Sequence, residues 1–158
     1  MEGDRTLNHT LTVRIKRVRE GTPLPYYASA GAAGLDLVAA IDEPLTLAPR
    51  ARHAVPTGIA LALPGRDWVA LVFARSGLAT RAGLALANGV GVIDSDYRGE
   101  VLVAVVNLSD EPITIRPHDR IAQMLFVPVG VARLLEVDEL DATERGAGGF
   151  GSTGVRAE

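Results

Sequence analysis

Short apolar runs between glycines and prolines constrain this fold more than any other feature of the sequence. The chain has 158 residues, among them 17 glycines and 9 prolines that separate the apolar segments. Segments this short suit strands better than helices, and glycine and proline mark the turns between them. Because 47% of the residues are hydrophobic but only 4% are aromatic, the core must consist of aliphatic side chains. We predict an all-β domain, a jelly-roll-like distorted β-barrel with at most one or two short helices.

The alternation of apolar and polar residues locates the individual strands. The predicted strands are residues 11–18, 45–47, 59–63, 68–73, 101–108, 113–115, 120–127 and 131–137. A short helix is predicted to begin with Ser76 as its N-cap and to stop at Gly83. Beyond residue 137 the sequence becomes charged and then glycine-rich, so we predict a barrel domain at 1–137 and a flexible glycine-rich C-terminal arm at 138–158. The apolar strand 101–108 and this arm suggest that neighbouring chains cover surfaces that one chain leaves open.

Composition argues against several classes of function. The formal net charge of −3 gives the surface no general attraction for nucleic acid. The absence of cysteine excludes disulfides and thiolate metal sites, and the three histidines lack metal-ligand spacing. No apolar run approaches the roughly 20 residues of a membrane span, and the first ten residues lack the apolar centre of a secretory signal. We therefore expect a cytoplasmic protein that binds neither nucleic acid nor membrane.

Residues 88–100 combine a tight turn with a group of polar side chains. The Asn-Gly pair at 88–89 has the composition of a hairpin turn, and an apolar alternation follows it. Asp94, Asp96 and Tyr97 then occur close together. In a strand the two carboxylates would share one face and the phenol would take the other, unless the next turn redirects it. The same run also fits an acidic surface turn without a catalytic role.

A second group of residues is suited to phosphate. Arg75 and Ser76 stand where a strand meets the predicted helix, and Gln123 lies within an apolar run where a buried amide needs partners. Asp36 lies between two leucines. Together with Asp94, these residues fit phosphoryl-type hydrolysis, in which a carboxylate activates water, arginines neutralise charge and Mg²⁺ bridges phosphates. A capped helix with an exposed arginine and an aspartate that caps a local turn are the simpler alternatives.

The C-terminal residues 145–154 carry one arginine and one aromatic residue among five glycines. Such a segment cannot bury a core. It fits an arm that closes over a flat anionic ligand, and a disordered end is the alternative. It is not a Walker A loop, because the GK[ST] ending is absent.

These segments resemble, in order, the five motifs of the homotrimeric deoxyuridine triphosphate nucleotidohydrolase (dUTPase) family. The resemblance covers most of the chain, from residue 33 to residue 154. The matching segments are residues 33–37, 74–79, 88–99, 117–123 and 145–154. One departure is His118, which stands where the fourth motif of the family usually carries glycine.

The resemblance implies hydrolysis of dUTP to dUMP and pyrophosphate, which supplies dUMP for dTMP synthesis and keeps uracil out of DNA. It implies a homotrimer whose three active sites each draw on all three chains, with the arm crossing to a neighbour. It also implies Mg²⁺ as cofactor, held by substrate phosphates and water with no direct protein ligand.

The resemblance assigns a role to each matched residue. Asp94 corresponds to the general base that activates water for attack on the α-phosphorus. The residues that recognise base and sugar are Asn88, Gly89, Val92, Tyr97 and Phe150. The residues that contact phosphate are Arg75, Ser76, Gly77, Gln123, Arg145, Gly149, Ser152 and Thr153. The residues in supporting or structural positions are Asp36, Asp96 and Asp119.

Two other functions remain open from the sequence. A dCTP deaminase has a related fold but needs a carboxylate that acts on the base, and it would release ammonia rather than pyrophosphate. A non-catalytic binding or regulatory module on the same barrel would not need Asp94 or the complete fifth motif.

Overall fold

A computed structural model describes residues 10–149, and this part of the chain forms twelve strands and one helix. The strands are β1 (Arg14–Arg17), β2 (Tyr26–Tyr27), β3 (Leu35–Val38), β4 (Leu45–Leu47), β5 (Arg52–Pro56), β6 (Ile59–Ala62), β7 (Trp68–Ala74), β8 (Leu84–Leu86), β9 (Gly91–Ile93), β10 (Leu102–Asn107), β11 (Ile113–Ile115) and β12 (Arg120–Pro128). The helix α1 spans Ser76–Ala82. The predicted all-β fold with at most two short helices is confirmed. No helix within residues 10–149 is long and apolar enough to cross a bilayer.

The strands form four sheets in which every pair is antiparallel. The largest sheet has the order β2-β3-β12-β7-β9, and a three-stranded sheet has the order β5-β10-β8. The pairs β1-β6 and β11-β4 complete the barrel. An aliphatic core fills it, as composition predicts, and its fully buried members include Leu37, Val55, Val103 and Met124.

The helix follows directly from strand β7. Arg75 is the N-cap, with extended backbone and no side-chain capping bond, and Ser76 is the first helical residue. The prediction that Ser76 caps the helix is therefore wrong by one position. Gly83 ends the helix with φ of 75°, in the left-handed region where only glycine is free of strain.

The Asn-Gly pair forms a turn but not a paired hairpin. Gly89 has φ of 72°, and its N–H donates to the carbonyl of Leu86 at 3.1 Å. The flanking strands do not pair with each other, because β8 pairs with β10 and β9 pairs with β7. The turn thus carries the chain from one sheet to the other.

The predicted strand at 131–137 does not form. Residues 129–147 are all exposed and contain no helix or strand. A strand needs a partner for its backbone groups, and no strand of the described chain pairs with residues 131–137. Its leucines are nearly fully exposed, with Leu134 at 92% and Leu140 at 88%. The division into a barrel at 1–137 and an arm at 138–158 stays a prediction.

His118 occupies a strained turn. The N–H of Asp119 donates to the carbonyl of Arg116 at 3.1 Å, and Pro117 precedes His118, which has φ of 65°. This is the type II arrangement, whose third residue favours glycine. The turn keeps the conformation that glycine would adopt, although the residue is histidine.

The substitution His118→Gly should stabilise the protein. A non-glycine residue in the left-handed region costs about 1 kcal/mol, partly offset because glycine gains more entropy on unfolding. We expect the free energy of unfolding to rise by about 0.5–1 kcal/mol, measured by urea denaturation. His118→Ala is the control, because alanine keeps the strain and should give no gain. Equal stabilisation by both substitutions would contradict this explanation.

Candidate active site

A buried carboxylate shared by two arginines forms the centre of the candidate site. Asp36 is only 6% exposed. Its Oδ1 lies 3.0 Å from Nε of Arg75, and its Oδ2 lies 3.0 Å from Nη1 of Arg120. The hydrogen bond and charge of Asp36 raise the pKa of Arg120. Asp36 therefore fixes the positions of both guanidinium groups.

The register of three neighbouring strands brings these residues together. Asp36 on β3 is opposite Gln123 on β12, which is in turn opposite Phe73 on β7. A β-bulge lies between Arg120 and Ala122. In a regular strand, the side chains of Arg120 and Gln123 would point to opposite faces of the sheet, because they are three positions apart. The extra residue of the bulge reverses the direction of Arg120, so that both side chains point to the same face. The bulge thus allows Arg120 to reach Asp36.

Gln123 occupies a defined position beside this ion pair. Its Nε2 donates to the carbonyl of Ala74 at 3.2 Å. A Cβ on Gly34 would lie 3.1 Å from Oε1 of Gln123, so glycine leaves the space that the amide occupies. The expectation that this amide needs a hydrogen-bond partner is confirmed.

The arginines open onto a cleft of about 930 Å³. Ser76 and Gly77 from the start of α1 line it together with Arg75, Gln123 and Asp36. A further cation, Arg81, also lines the cleft, although the sequence analysis did not single it out. Three guanidinium groups against one carboxylate give a net positive cleft, which suits a phosphate chain.

Asp94 lies in a turn and not in a strand. Strand β9 ends at Ile93, and the N–H of Tyr97 donates to the carbonyl of Asp94 at 3.2 Å. The predicted strand alternation of Asp94 and Asp96 is therefore wrong at this point. Both carboxylates are exposed.

The ring of Tyr97 folds over the following glycine. Its hydroxyl donates to the carbonyl of Glu100 at 3.0 Å. A Cβ on Gly99 would lie 2.6 Å from Cζ of Tyr97, so only glycine fits beneath the ring. The turn redirects the phenol, as the sequence allowed.

An ion pair far apart in sequence anchors the end of this turn. Nε of Arg19 lies 2.7 Å from Oε1 of Glu100 and Nη2 lies 3.0 Å from Oε2. The backbone N–H of Gly58 also donates to Glu100, at 2.8 Å. These bonds lower the pKa of Glu100, with the Arg19 hydrogen bond as the largest cause. No sequence signal links Arg19 to Glu100, because 81 positions separate them.

The residues predicted to recognise the base lie on and beside strand β9. Asn88 and Gly89 are exposed in the turn before it, and Val92 is 61% exposed. Gly91 is buried, and a Cβ there would lie 3.0 Å from Cβ of Val72. The backbone of this segment therefore packs directly on strand β7 and leaves Val92 facing outward.

Strand β7 separates the two groups of predicted site residues within one chain. Ile93 is opposite Ala70, so Asp94 lies next to the beginning of β7. Arg75 follows the other end. The two ends of β7 are separated by about six residues of extended strand, which span about 20 Å. A general base must lie within hydrogen-bond reach of the attacking water, so one chain alone does not bring Asp94 to a phosphate held by Arg75.

The remaining predicted residues lie elsewhere. Oδ2 of Asp119 accepts from the backbone N–H of Arg116 at 2.8 Å, inside the type II turn. Nε of Arg145 donates to the carbonyl of Gly148 at 2.9 Å, so its side chain folds over its own turn, next to exposed Gly149. Three predicted residues lie outside the described range, namely Phe150, Ser152 and Thr153.

The part of the chain that the structure describes contains no group of three or more metal-binding side chains. The only carboxylate in the cleft, Asp36, is already shared by two arginines. This donor set suits phosphate oxygens better than a bare cation. A divalent ion fits here only as the partner of a phosphate chain, since Mg²⁺ commonly binds through substrate phosphates and retains waters.

A jelly-roll-like barrel with an arginine-lined cleft defines a phosphate-binding β protein, and comparison with known proteins specifies it further. The family model described as dUTPase matches residues 20–154, and the chain belongs to this family.

Proteins similar to this chain carry the same family name. The deoxyuridine 5'-triphosphate nucleotidohydrolase of Desulfitobacterium hafniense (strain DSM 10664 / DCB-2) is 55% identical over 149 residues, which cover 93% of this chain and 99% of the relative. That of Methylocella silvestris is 52% identical over 155 residues, 96% of each chain. Among solved structures, one similar chain is a point mutant of the dUTPase of Staphylococcus bacteriophage 80alpha with dUpNHpp. The two structures superpose with a TM-score of 0.84 at 26% sequence identity, and the match covers 92% of this chain and 100% of that chain.

The substitution Asp36→Asn should destabilise the protein. It removes the charge that two arginines share and turns an amide N–H toward a guanidinium. Leaving a buried polar group mismatched costs about 1–3 kcal/mol, so we expect the free energy of unfolding to fall by about that amount. Urea denaturation measures the change. Asp110→Asn is the matched control, because that carboxylate is 94% exposed in its pair with Arg50, and such pairs contribute about 0–1 kcal/mol. Equal effects of the two substitutions would contradict a central role for Asp36.

The pair of Arg19 and Glu100 should make stability depend on pH. The pKa of Glu100 lies below its usual value of 4.5. The contribution of ionised Glu100 to the stability of the fold is therefore fully present above pH 4.5. This contribution is lost as the pH falls through the lower pKa of Glu100 in the folded protein. We expect Glu100→Gln to be less stable than the wild type at pH 6 and above. Chemical denaturation across pH should show the difference shrinking in acid, and a constant difference would exclude titration of Glu100 as its origin.

Proposed function

We propose that this protein hydrolyses dUTP to dUMP and pyrophosphate. The observation that carries the proposal is the positively charged cleft around Asp36, Arg75 and Gln123, in a chain of the dUTPase family. The relatives at 55% and 52% identity bear the name of this activity. The cleft supplies the phosphate-binding half of the site, and the turn that carries Asp94 supplies the other half.

Asp94 acts as the general base in the proposed reaction. Its carboxylate accepts a proton from a water molecule, whose oxygen forms a bond to the α-phosphorus. The bond between the α-phosphorus and the bridging oxygen breaks, and pyrophosphate leaves with the electron pair. Exposure of Asp94 keeps a water within reach. Arg75, which Asp36 holds in place, neutralises charge that develops on the phosphates.

The phosphate chain in this proposal is held by several groups. Arg75, Ser76, Gly77 and Gln123 line one cleft. The C-terminal arm adds a second set, which comprises Arg145, Gly149, Ser152 and Thr153. Mg²⁺, where it accompanies the triphosphate, lowers the charge of the phosphate chain and makes pyrophosphate a better leaving group.

Base and sugar recognition is proposed for the turn around strand β9. Backbone groups near Gly89 and Val92 and the amide of Asn88 read the uracil, and Phe150 covers it. Tyr97 packs on the deoxyribose and leaves no space for a 2′-hydroxyl. The support is its fixed position, because the ring lies over Gly99 and its hydroxyl is bonded to Glu100. Asp96 and Asp119 have supporting roles.

The proposed active enzyme is a homotrimer with sites shared between chains. The outward-facing side chains of strand β10 are apolar, with Leu102 47% exposed and Val106 and Ala104 half-buried. Leu134 and Leu140 are almost fully exposed. Burying such surfaces favours association. The distance between Arg75 and Asp94 along β7 supports a site completed by a neighbour, and residues 138–158 form the arm that closes over it.

The proposed reaction in the cytoplasm has two consequences. It supplies dUMP, the precursor for dTMP synthesis, and it lowers the concentration of dUTP that polymerases can insert into DNA. No direct role in binding nucleic acid is proposed.

The substitution Asp94→Asn should remove most of the activity. Loss of a positioned general base lowers kcat by roughly 10²–10⁴. Pyrophosphate release with Mg²⁺ is measured for dUTP, the other dNTPs and UTP, with Asp110→Asn as a control that keeps full activity. The wild type should act on dUTP far faster than on the rest. Release of ammonia from dCTP would instead indicate a deaminase, and normal turnover by Asp94→Asn would refute its role as base.

A further inference from the structure

Arg81 lies on the helix beside the cleft. It belongs to the last turn of α1, and its side chain extends back along the helix, so that its Nε approaches the carbonyl of Gly77 at 3.4 Å. A Cβ on Gly77 would lie 2.9 Å from Nη2 of Arg81. The guanidinium therefore lies directly over Gly77 and lines the cleft together with Arg75.

Arg81 also differs from the other two arginines of the cleft in that it does not pair with Asp36. Arg75 and Arg120 both pair with Asp36. Among residues 10–149, no carboxylate forms an ion pair with Arg81. The pair of arginines and Asp36 together carry one net positive charge, and Arg81 doubles it. A triphosphate would find its most available positive charge at Arg81.

The position of Arg81 has a simpler explanation, which the geometry does not favour. A basic residue in the last turn of a helix can interact with the free carbonyls at the C-terminus. The Arg81 guanidinium instead points toward the first turn, where Gly77 and Ser76 lie. Its one hydrogen bond to the helix, at 3.4 Å, is long for an N–H donor, so exchanging it for a phosphate oxygen costs little.

We propose that Arg81 binds the pyrophosphate part of the substrate and the pyrophosphate product. This inference rests on the proposed function and adds a further phosphate-binding residue to the cleft. Gly77 contributes by lacking a side chain, which lets the guanidinium lie close to the helix backbone. A planar guanidinium presents paired N–H donors to two phosphate oxygens.

The kinetic test compares Arg81→Gln with wild type. Losing one charge-assisted hydrogen bond should raise the KM for dUTP about tenfold, with kcat falling far less than in Asp94→Asn, because Arg81 contacts the leaving pyrophosphate and not the attacking water. The KM should also become less sensitive to salt, since one screened charge is gone. Arg81→Lys keeps the charge without the fork and should fall between the two. Arg66→Gln is the matched control, because Arg66 is exposed and does not line the cleft.

The binding test uses inorganic pyrophosphate with Mg²⁺ in isothermal titration calorimetry. Arg81→Gln should weaken binding about tenfold, while Arg66→Gln binds as the wild type does. Thermal unfolding checks each variant, and Arg81→Lys replaces Arg81→Gln in both tests if the latter is unfolded. Unchanged KM and unchanged pyrophosphate affinity would overturn the role of Arg81, as would equal losses in the Arg66 variant. A wild type that binds pyrophosphate but does not hydrolyse dUTP would refute the proposed function. The calorimetric comparison of Arg81→Gln with the wild type would then decide the role of Arg81 on its own.

Discussion

The rest of the site depends on one buried carboxylate shared by two arginines. Asp36 lies on strand β3 and fixes Arg120 at the start of the adjacent strand β12. It also fixes Arg75, which follows strand β7 on the far side of β12. Burying a lone charge would be costly, but the paired guanidinium groups satisfy both of its oxygens. One positive charge in excess remains beside the cleft. A structural interaction thus also prepares a surface for phosphate, which explains how a chain with net charge −3 can offer a cationic site.

Strand β7 determines how this surface can take part in a reaction. It leads into the proposed phosphate-binding residues Arg75 and Ser76 at one end and pairs with the strand before Asp94 at the other. A rigid central strand keeps its two ends apart, so the proposed reaction requires Asp94 to come from another copy of the chain. The apolar outward side chains of strand β10 and the exposed leucines of residues 129–147 are the surfaces proposed to meet such a copy. Association and activity are therefore coupled in the proposed enzyme.

Local patterns in the sequence predicted much of the fold but fewer of its contacts. Alternation located strands such as β6 and β12, and Gly83 ended the helix as expected. The strand predicted at 131–137 is absent because periodicity says nothing about whether a partner exists. The approach of Arg120 to Asp36 depends on a bulge, and the pair of Arg19 and Glu100 joins distant segments. Neither leaves a local signal, since both arise from tertiary register. Ordered motifs nevertheless identified Arg75, Ser76 and Gln123, which the cleft brings together.

Mixing two inactive variants tests most directly whether the site is assembled between chains. Arg75→Gln lacks the phosphate contact and Asp94→Asn lacks the base, so each alone should be nearly inactive as a pure protein. After the variants are unfolded and refolded together in equal amounts, chance assembly gives about one quarter of the sites both wild-type residues if each comes from a different chain. We predict recovery of about that fraction of wild-type dUTP turnover. A mixture as inactive as its components would contradict a site shared between chains.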